Sequence, residues 1–158
     1  MKHCLFALMV FSFSALAKTE MWKGTSPSVD YTAGISAGLA FNGASNLGGT
    51  FQASGAIKVI DRGFVPDIND QVFFEVQGGP EFFSSLTVFT GTLHLRWDFH
   101  RDEDFTLFAT GGLGTRLATG LTQFFPHLGL GAFWRLDVVD IRAEVSHNWL
   151  LVGASFPF

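Results

Sequence analysis

The 158-residue chain contains one cysteine, Cys4, and little charge: 15% Asp, Glu, Lys and Arg, with a formal net charge of −4. A single thiol excludes an internal disulfide and a thiolate-rich metal site. The small acidic balance leaves no basic patch of the kind that grips nucleic acid. Long apolar runs are also missing. Beyond the first 17 residues nothing approaches the ~18 consecutive apolar residues of a membrane-spanning helix. Phenylalanine and glycine are abundant instead, at 19 and 18 residues, and the mean hydropathy is +0.30. So apolar a composition points to a membrane. With the helix excluded, the remaining spanning architecture is a closed β-barrel, since backbone polar groups cannot go unpaired in lipid.

The start of the chain supplies an export signal. Met1, Lys2 and His3 form a short basic start, Cys4 to Ala15 is almost wholly apolar, and Ala15-Leu16-Ala17 has the A-x-A form of a cleavage site. This reads as a secretory signal peptide over residues 1–17. Its removal takes the only cysteine, and leaves residues 18–158 as one domain.

That domain alternates in twos. In SVDYTAGISAGLAF, Val29, Tyr31, Ala33, Ile35, Ala37, Leu39 and Phe41 oppose Asp30, Thr32, Gly34, Ser36, Gly38 and Ala40. In GTFQASGAIKVID, Phe51, Ala53, Ile57 and Val59 oppose Thr50, Gln52, Ser54 and Lys58. DQVFFEVQG sets Val72, Phe74 and Val76 against Gln71, Glu75 and Gln77, and LTVFTGTLHLRWDFH sets Phe89, Leu93, Leu95, Trp97 and Phe99 against Thr90, Thr92, His94, Arg96, Asp98 and His100. Period-two alternation over about 9–11 residues is the mark of a transmembrane strand. Further strands are expected at Asp104–Gly114, Phe124–Asp137, Val139–His147 and in the final WLLVGASFPF. The expected fold is all-β, an antiparallel up-and-down transmembrane barrel of about eight strands. The joints are read at FNGASNLGG, DRGFVPDIND, GGPEFFSS, HRDED, TRLATGLTQ and RLDVVD, which carry turn residues.

By this pattern the domain resembles the small OmpA/OmpX-type outer-membrane barrels of Gram-negative bacteria. Proteins of that class carry a C-terminal assembly signal with a glycine and two aromatics. Gly153, Phe156 and Phe158 fit those places, and Leu151 stands where the class prefers a polar residue. The resemblance implies an outer-membrane location and contact with outer-membrane lipids, lipopolysaccharide and the barrel assembly machinery. No nucleic acid and no cofactor are expected. It also implies that both chain ends lie on the periplasmic side. Asp61, Arg62, Asp67, Asp70, Arg101, Asp102, Glu103 and Asp104 then fall in periplasmic turns, while the outward joints are nearly uncharged apart from Glu81 and Arg116. Aromatic girdles are expected at both interfaces, from Phe41, Phe51, Phe82, Phe83, Phe124 and Trp149 at the outer one and Tyr31, Phe64, Trp97, Phe99, Trp134, Phe156 and Phe158 at the inner one.

The inward parity gathers the charge. Lys58, Glu75, His94, Arg96, Asp98, Arg135, Asp140, Arg142 and Glu144, with Asp137 beside them, form an expected lumen network, either a gate or simple charge pairing inside a narrow barrel. Phe73, Phe108, Phe133, Leu86 and Leu151 are bulky inward candidates that argue against an open pore.

Enzymatic chemistry finds weak support. Some small outer-membrane barrels modify lipid A, and the deacylases carry a His-x-Ser pair near the position of VSHNW. Here Ser146 and His147 are adjacent, so their side chains point to opposite faces of a strand, and Trp149 stands two residues after His147. No acidic partner follows. His147 reads better as an interface residue, and His127 as isolated. No enzyme is expected. A soluble lipocalin-like barrel has the same strand number with the apolar face turned inward, and alternation alone does not say which face is out.

Overall fold

The computed structural model describes residues 29–43, 46–64, 68–84 and 86–158. The leader over 1–17 and Asp67 lie outside the described residues. Eight strands follow in order: β1 (Tyr31–Asn42), β2 (Asn46–Ile60), β3 (Asp70–Phe83), β4 (Leu86–His100), β5 (Phe105–Ala118), β6 (Leu121–Leu136), β7 (Val139–Ser146) and β8 (Trp149–Pro157). Each pairs antiparallel with its neighbours, and β1 pairs with β8, so the sheet closes into a barrel. The closing seam runs from Thr32↔Pro157 to Ala40↔Trp149. Beyond it, the Phe158 carbonyl accepts from the Asp30 and Tyr31 amides at 2.9 and 3.2 Å, and the Phe158 amide donates to the Tyr31 carbonyl at 2.8 Å.

The pattern of burial says which face is out. Ile35, Phe51, Leu93, Leu113, Phe124, Leu128 and Trp134 are exposed on the outer wall. Glu75, Glu81, His94, Arg96, His127, Arg142 and Glu144 are buried inside. A water-soluble barrel reverses this arrangement, because an exposed apolar wall has to be covered. A barrel surrounded by hydrocarbon requires it.

The described ends, Val29 and Phe158, lie at the same rim as the β2–β3, β4–β5 and β6–β7 connections, here the lower rim. The β1–β2, β3–β4, β5–β6 and β7–β8 connections lie at the opposite, upper rim. Asp137 turns at φ 51° in the lower connection between β6 and β7, and is exposed. It therefore does not join the lumen set in which it was read.

Several strands run further than their turn-like residues suggest. β3 continues to Phe83 through Gly78, Gly79 and Pro80, and β5 continues to Ala118. Gly79 is there because β2 comes close: a Cβ at this position would sit 1.9 Å from the Phe51 carbonyl oxygen. Pro80 lies within the β3–β4 ladder opposite Phe89, and its carbonyl accepts from Thr50 Oγ1 at 2.9 Å. These residues are spacers within strands, not corners.

The interface aromatics divide. Tyr31, Phe64, Trp134 and Phe158 are exposed near the lower rim, and Phe51, Phe82 and Phe124 near the upper one. Phe64, Trp97 and Phe99 form a row of ring contacts, with centroids 5.6 and 4.6 Å apart. Trp149 departs from its expected place in the upper girdle. It has the inward parity of Leu151, and its side chain is fully buried in the lumen. Phe83 likewise shares the parity of Glu81 and lies against Gly48. Leu86, expected to point inward as a filler, is 40% exposed at the start of β4. Asp70 opens β3 rather than sitting in a turn; it is buried and accepts from Trp97 Nε1 at 2.5 Å.

Candidate functional site

The inward side chains of six strands meet in one polar cluster. Glu75 on β3 holds the centre: its Oε1 accepts from Arg142 Nη1 on β7 and its Oε2 from Arg96 Nη1 on β4, both at 2.5 Å. In an eight-strand ring β3 and β7 stand on opposite walls, so Arg142 crosses the lumen. Arg142 Nη2 also donates to Glu144 Oε2 at 2.7 Å. Arg96 binds Asp98 through Nε at 2.8 Å and Nη2 at 3.2 Å, and Nη1 reaches Thr32 Oγ1 on β1 at 3.4 Å.

Aromatic rings cover the guanidinium groups. Arg96 lies 4.5 Å from the Phe73 ring centroid and 4.9 Å from that of Phe133; Arg142 lies 5.0 Å from Phe108 and 5.6 Å from Phe133. Such stacking stabilises a desolvated guanidinium electrostatically. Phe73, Phe108, Phe133 and Leu151 are all buried here.

Above the cluster the rings of His94 and His127 pack with centroids 4.7 Å apart and planes tilted by 46°. Trp149 lies 5.2 Å from His127 and donates from Nε1 to Glu144 Oε1 at 3.1 Å. His127, which looks isolated in sequence, is thus part of the cluster. Nearer the upper rim, Arg116 on β5 donates from Nε to Glu81 on β3 at 2.9 Å and from Nη2 to the Phe41 carbonyl on β1 at 2.8 Å. Both were read as charges in outward joints. They face the lumen because β3 and β5 continue to their positions with unbroken parity, which is the signal that would have found them.

The remaining expected members lie near the lower rim. Arg135 meets Asp140 at 3.3 Å. Lys58 bridges Asp30 and Asp61 at 2.9 and 2.8 Å. Asp61 belongs to the lower connection, and its hydrogen bond with Lys58 holds its carboxyl below the usual carboxylate range. His100 sits between Thr106 Oγ1 at 2.8 Å and Gln71 Oε1 at 3.2 Å.

In the VSHNW stretch, Ser146 and His147 are held by local contacts. Ser146 Oγ accepts from the Asn148 and Trp149 amides at 3.2 and 3.1 Å, so the hydroxyl caps the β7–β8 turn. His147 is exposed, with its ring edge-on to Phe125 at 6.1 Å.

Gly153, Phe156 and Phe158 lie on the closing strand pair. Gly153 faces inward, where a Cβ would stand 2.1 Å from the Ile35 carbonyl oxygen. Phe156 and Phe158 are exposed on the outer wall.

An apolar outer wall around a polar, ion-paired interior defines a transmembrane β-barrel. Its fold is that of the small OmpA/OmpX-type barrels. The crystal structure of Ail, the attachment invasion locus protein of Yersinia pestis, superposes with a TM-score of 0.50 over 82% of this chain and 97% of Ail, at 13% identity. A de novo designed transmembrane β-barrel superposes with a TM-score of 0.52 over 84% of this chain and 98% of the design, also at 13% identity. A designed barrel and a natural one match alike, so the likeness carries architecture and no activity. No protein-family model matches the chain, and no curated protein matches it.

Proposed function

We propose that this chain is an integral outer-membrane protein that acts as a structural or interaction scaffold, with a lumen filled by side chains instead of an open pore. The observation that carries the reading is the Arg142–Glu75 contact from one wall to the other, 2.5 Å long and covered by Phe108 and Phe133. An eight-stranded barrel has room for little beyond its own side chains, and a pair lying across it occupies the path of any solute. The leader at residues 1–17 supports export, and the apolar outer wall supports residence among outer-membrane lipids and lipopolysaccharide. The use of Ser146 as a turn cap favours a protein without lipid A hydrolase chemistry, since a nucleophile needs a free hydroxyl and a base within reach.

Purified protein, tested side by side in planar bilayers and with lipid A, checks the proposal. The expected result is membrane retention through a carbonate wash, no stable single-channel steps and no change in lipid A acylation. Steady conductance rejects the filled lumen, and altered lipid A rejects the scaffold.

A further inference from the structure

The outer wall is low in one place. Ala33, Gly55 and Val76 stand side by side on β1, β2 and β3, and one row below them come Tyr31, Ile57 and Phe74. With Phe158 at the lower end these residues line a groove of about 470 Å³ that opens outward. Pockets that hold small ligands measure roughly 300–1,000 Å³. Ala53 and Gly78 pair on the next outward row, so the β2–β3 side of the wall stays low above the groove.

Gly55 does not serve the backbone. A Cβ at this position meets nothing within 4 Å, whereas at Gly38, Gly79, Gly112 and Gly153 it would strike a neighbouring strand. Glycine weakens the interior of a strand, and one that no neighbouring strand demands marks the close approach of something else. Gly49 and Gly91 are open in the same way. Gly55 differs in flooring the groove, between Ile57, Phe74 and Val76, which are bulky and exposed. On a wall that faces hydrocarbon, what approaches is an acyl chain.

Charge at the lower end of the groove points to the headgroup. Lys58, next after Ile57, is held by Asp30 and Asp61 at 2.9 and 2.8 Å, and both carboxylates keep most of their surface exposed. Arg62 is exposed beside Asp61. Two negative charges thus stand with two positive ones. An anionic headgroup is recognised by an uncompensated basic cluster, and this end of the groove offers a balanced set instead. We infer that the groove holds one acyl chain of a zwitterionic phospholipid from the lower leaflet. Its ammonium meets Asp30 and Asp61, and its phosphate lies by Arg62. The inference rests on the membrane residence proposed above.

The test is native mass spectrometry of the protein, reconstituted in vesicles of equal parts phosphatidylethanolamine and phosphatidylglycerol and released with mild detergent. One retained phospholipid per barrel is expected, predominantly phosphatidylethanolamine. Gly55→Leu fills the groove and is expected to retain about tenfold less, the effect of losing roughly two buried methylenes. Ala33→Leu fills the same floor and decides the question if Gly55→Leu does not fold. Gly91→Leu, at an open glycine away from the groove, should retain as much as the parent. Asp30→Asn combined with Asp61→Asn leaves Lys58 and Arg62 uncompensated and should turn the preference to phosphatidylglycerol. No retained lipid, equal retention after the floor is filled, or a headgroup preference that the double change leaves unmoved would overturn the inference. A barrel stripped from membranes by a carbonate wash fails the membrane reading instead, whereas one that stays and carries no lipid fails this inference alone.

Discussion

Arg142 and Glu75 lie 67 residues apart in sequence and 2.5 Å apart in space. They join opposite walls of the ring. Arg116 makes a comparable reach from β5 to the Phe41 carbonyl on β1. The two arginines therefore cross the lumen at different heights and between different pairs of walls.

Arg142→Met leaves Glu75 and Glu144 short of a donor in a desolvated interior. The expected cost is about 3–5 kcal/mol, the usual penalty for breaking one side of a buried pair. Denaturant titration in detergent measures it. A loss within about 1 kcal/mol, as for exposed pairs, means that water reaches the cluster.

Gly153→Val tests the closing seam. Its first side-chain carbon meets the Ile35 carbonyl at 2.1 Å, and overpacking of this kind costs roughly 1–3 kcal/mol. Refolding in detergent, where no assembly machinery is present, should already be impaired. Phe158→Ala should differ, because that side chain is 69% exposed on the outer wall. It is expected to refold nearly as well as the parent and to reach the membrane in smaller amount. Equal losses for Phe158→Ala in both assays would make Phe158 structural.

Tryptophan fluorescence reports the two faces. A variant retaining only Trp134, 62% exposed on the outer wall, should be quenched by lipids brominated along their acyl chains. A variant retaining only Trp149 should resist both those lipids and aqueous acrylamide. Strong acrylamide quenching of Trp149 would mean a wet lumen.

Asp61 gives the pH dependence of the lower rim. Its carboxyl titrates below its ordinary value of 3.8 because Lys58 donates to it. A carboxylate with a depressed folded value contributes stability that is complete above the unfolded value and fades as pH falls through the folded one. Carbon-13 titration should find the Asp61 transition below 3.8 in the parent and returned towards that value in Lys58→Met. An identical transition in both would remove the interaction from solution.

The barrel was legible in the sequence because outward and inward residues alternate at every strand centre. Phe74, Val76, Leu93 and Leu95 set the parity, and Glu75, His94 and Arg96 follow from it. What the sequence hid lies at strand ends. Gly78-Gly79-Pro80 carries the residues of a turn, yet Gly79 answers a neighbouring carbonyl, so β3 runs on and turns Glu81 inward. The same misreading at Gly114 concealed Arg116. His127 looked solitary because its partners, His94, Glu144 and Trp149, come from three other strands and meet it only when the sheet closes. Trp149 has the height of a girdle residue, and only its parity with Leu151 marks it as a lumen side chain.

Seven of the eight seams join strands that follow one another in the chain, and the eighth joins β1 to β8. The seven are hairpins that form with little loss of chain entropy. The eighth encloses nearly the whole described chain, and such contacts are the slow ones in folding. Until it forms, the sheet is an open ribbon with two raw margins whose amides and carbonyls have no partners, a condition that hydrocarbon penalises severely. Closure of this seam is therefore the expected slow step of folding, and the backbone bonds around Phe158 extend the seam to the lower rim.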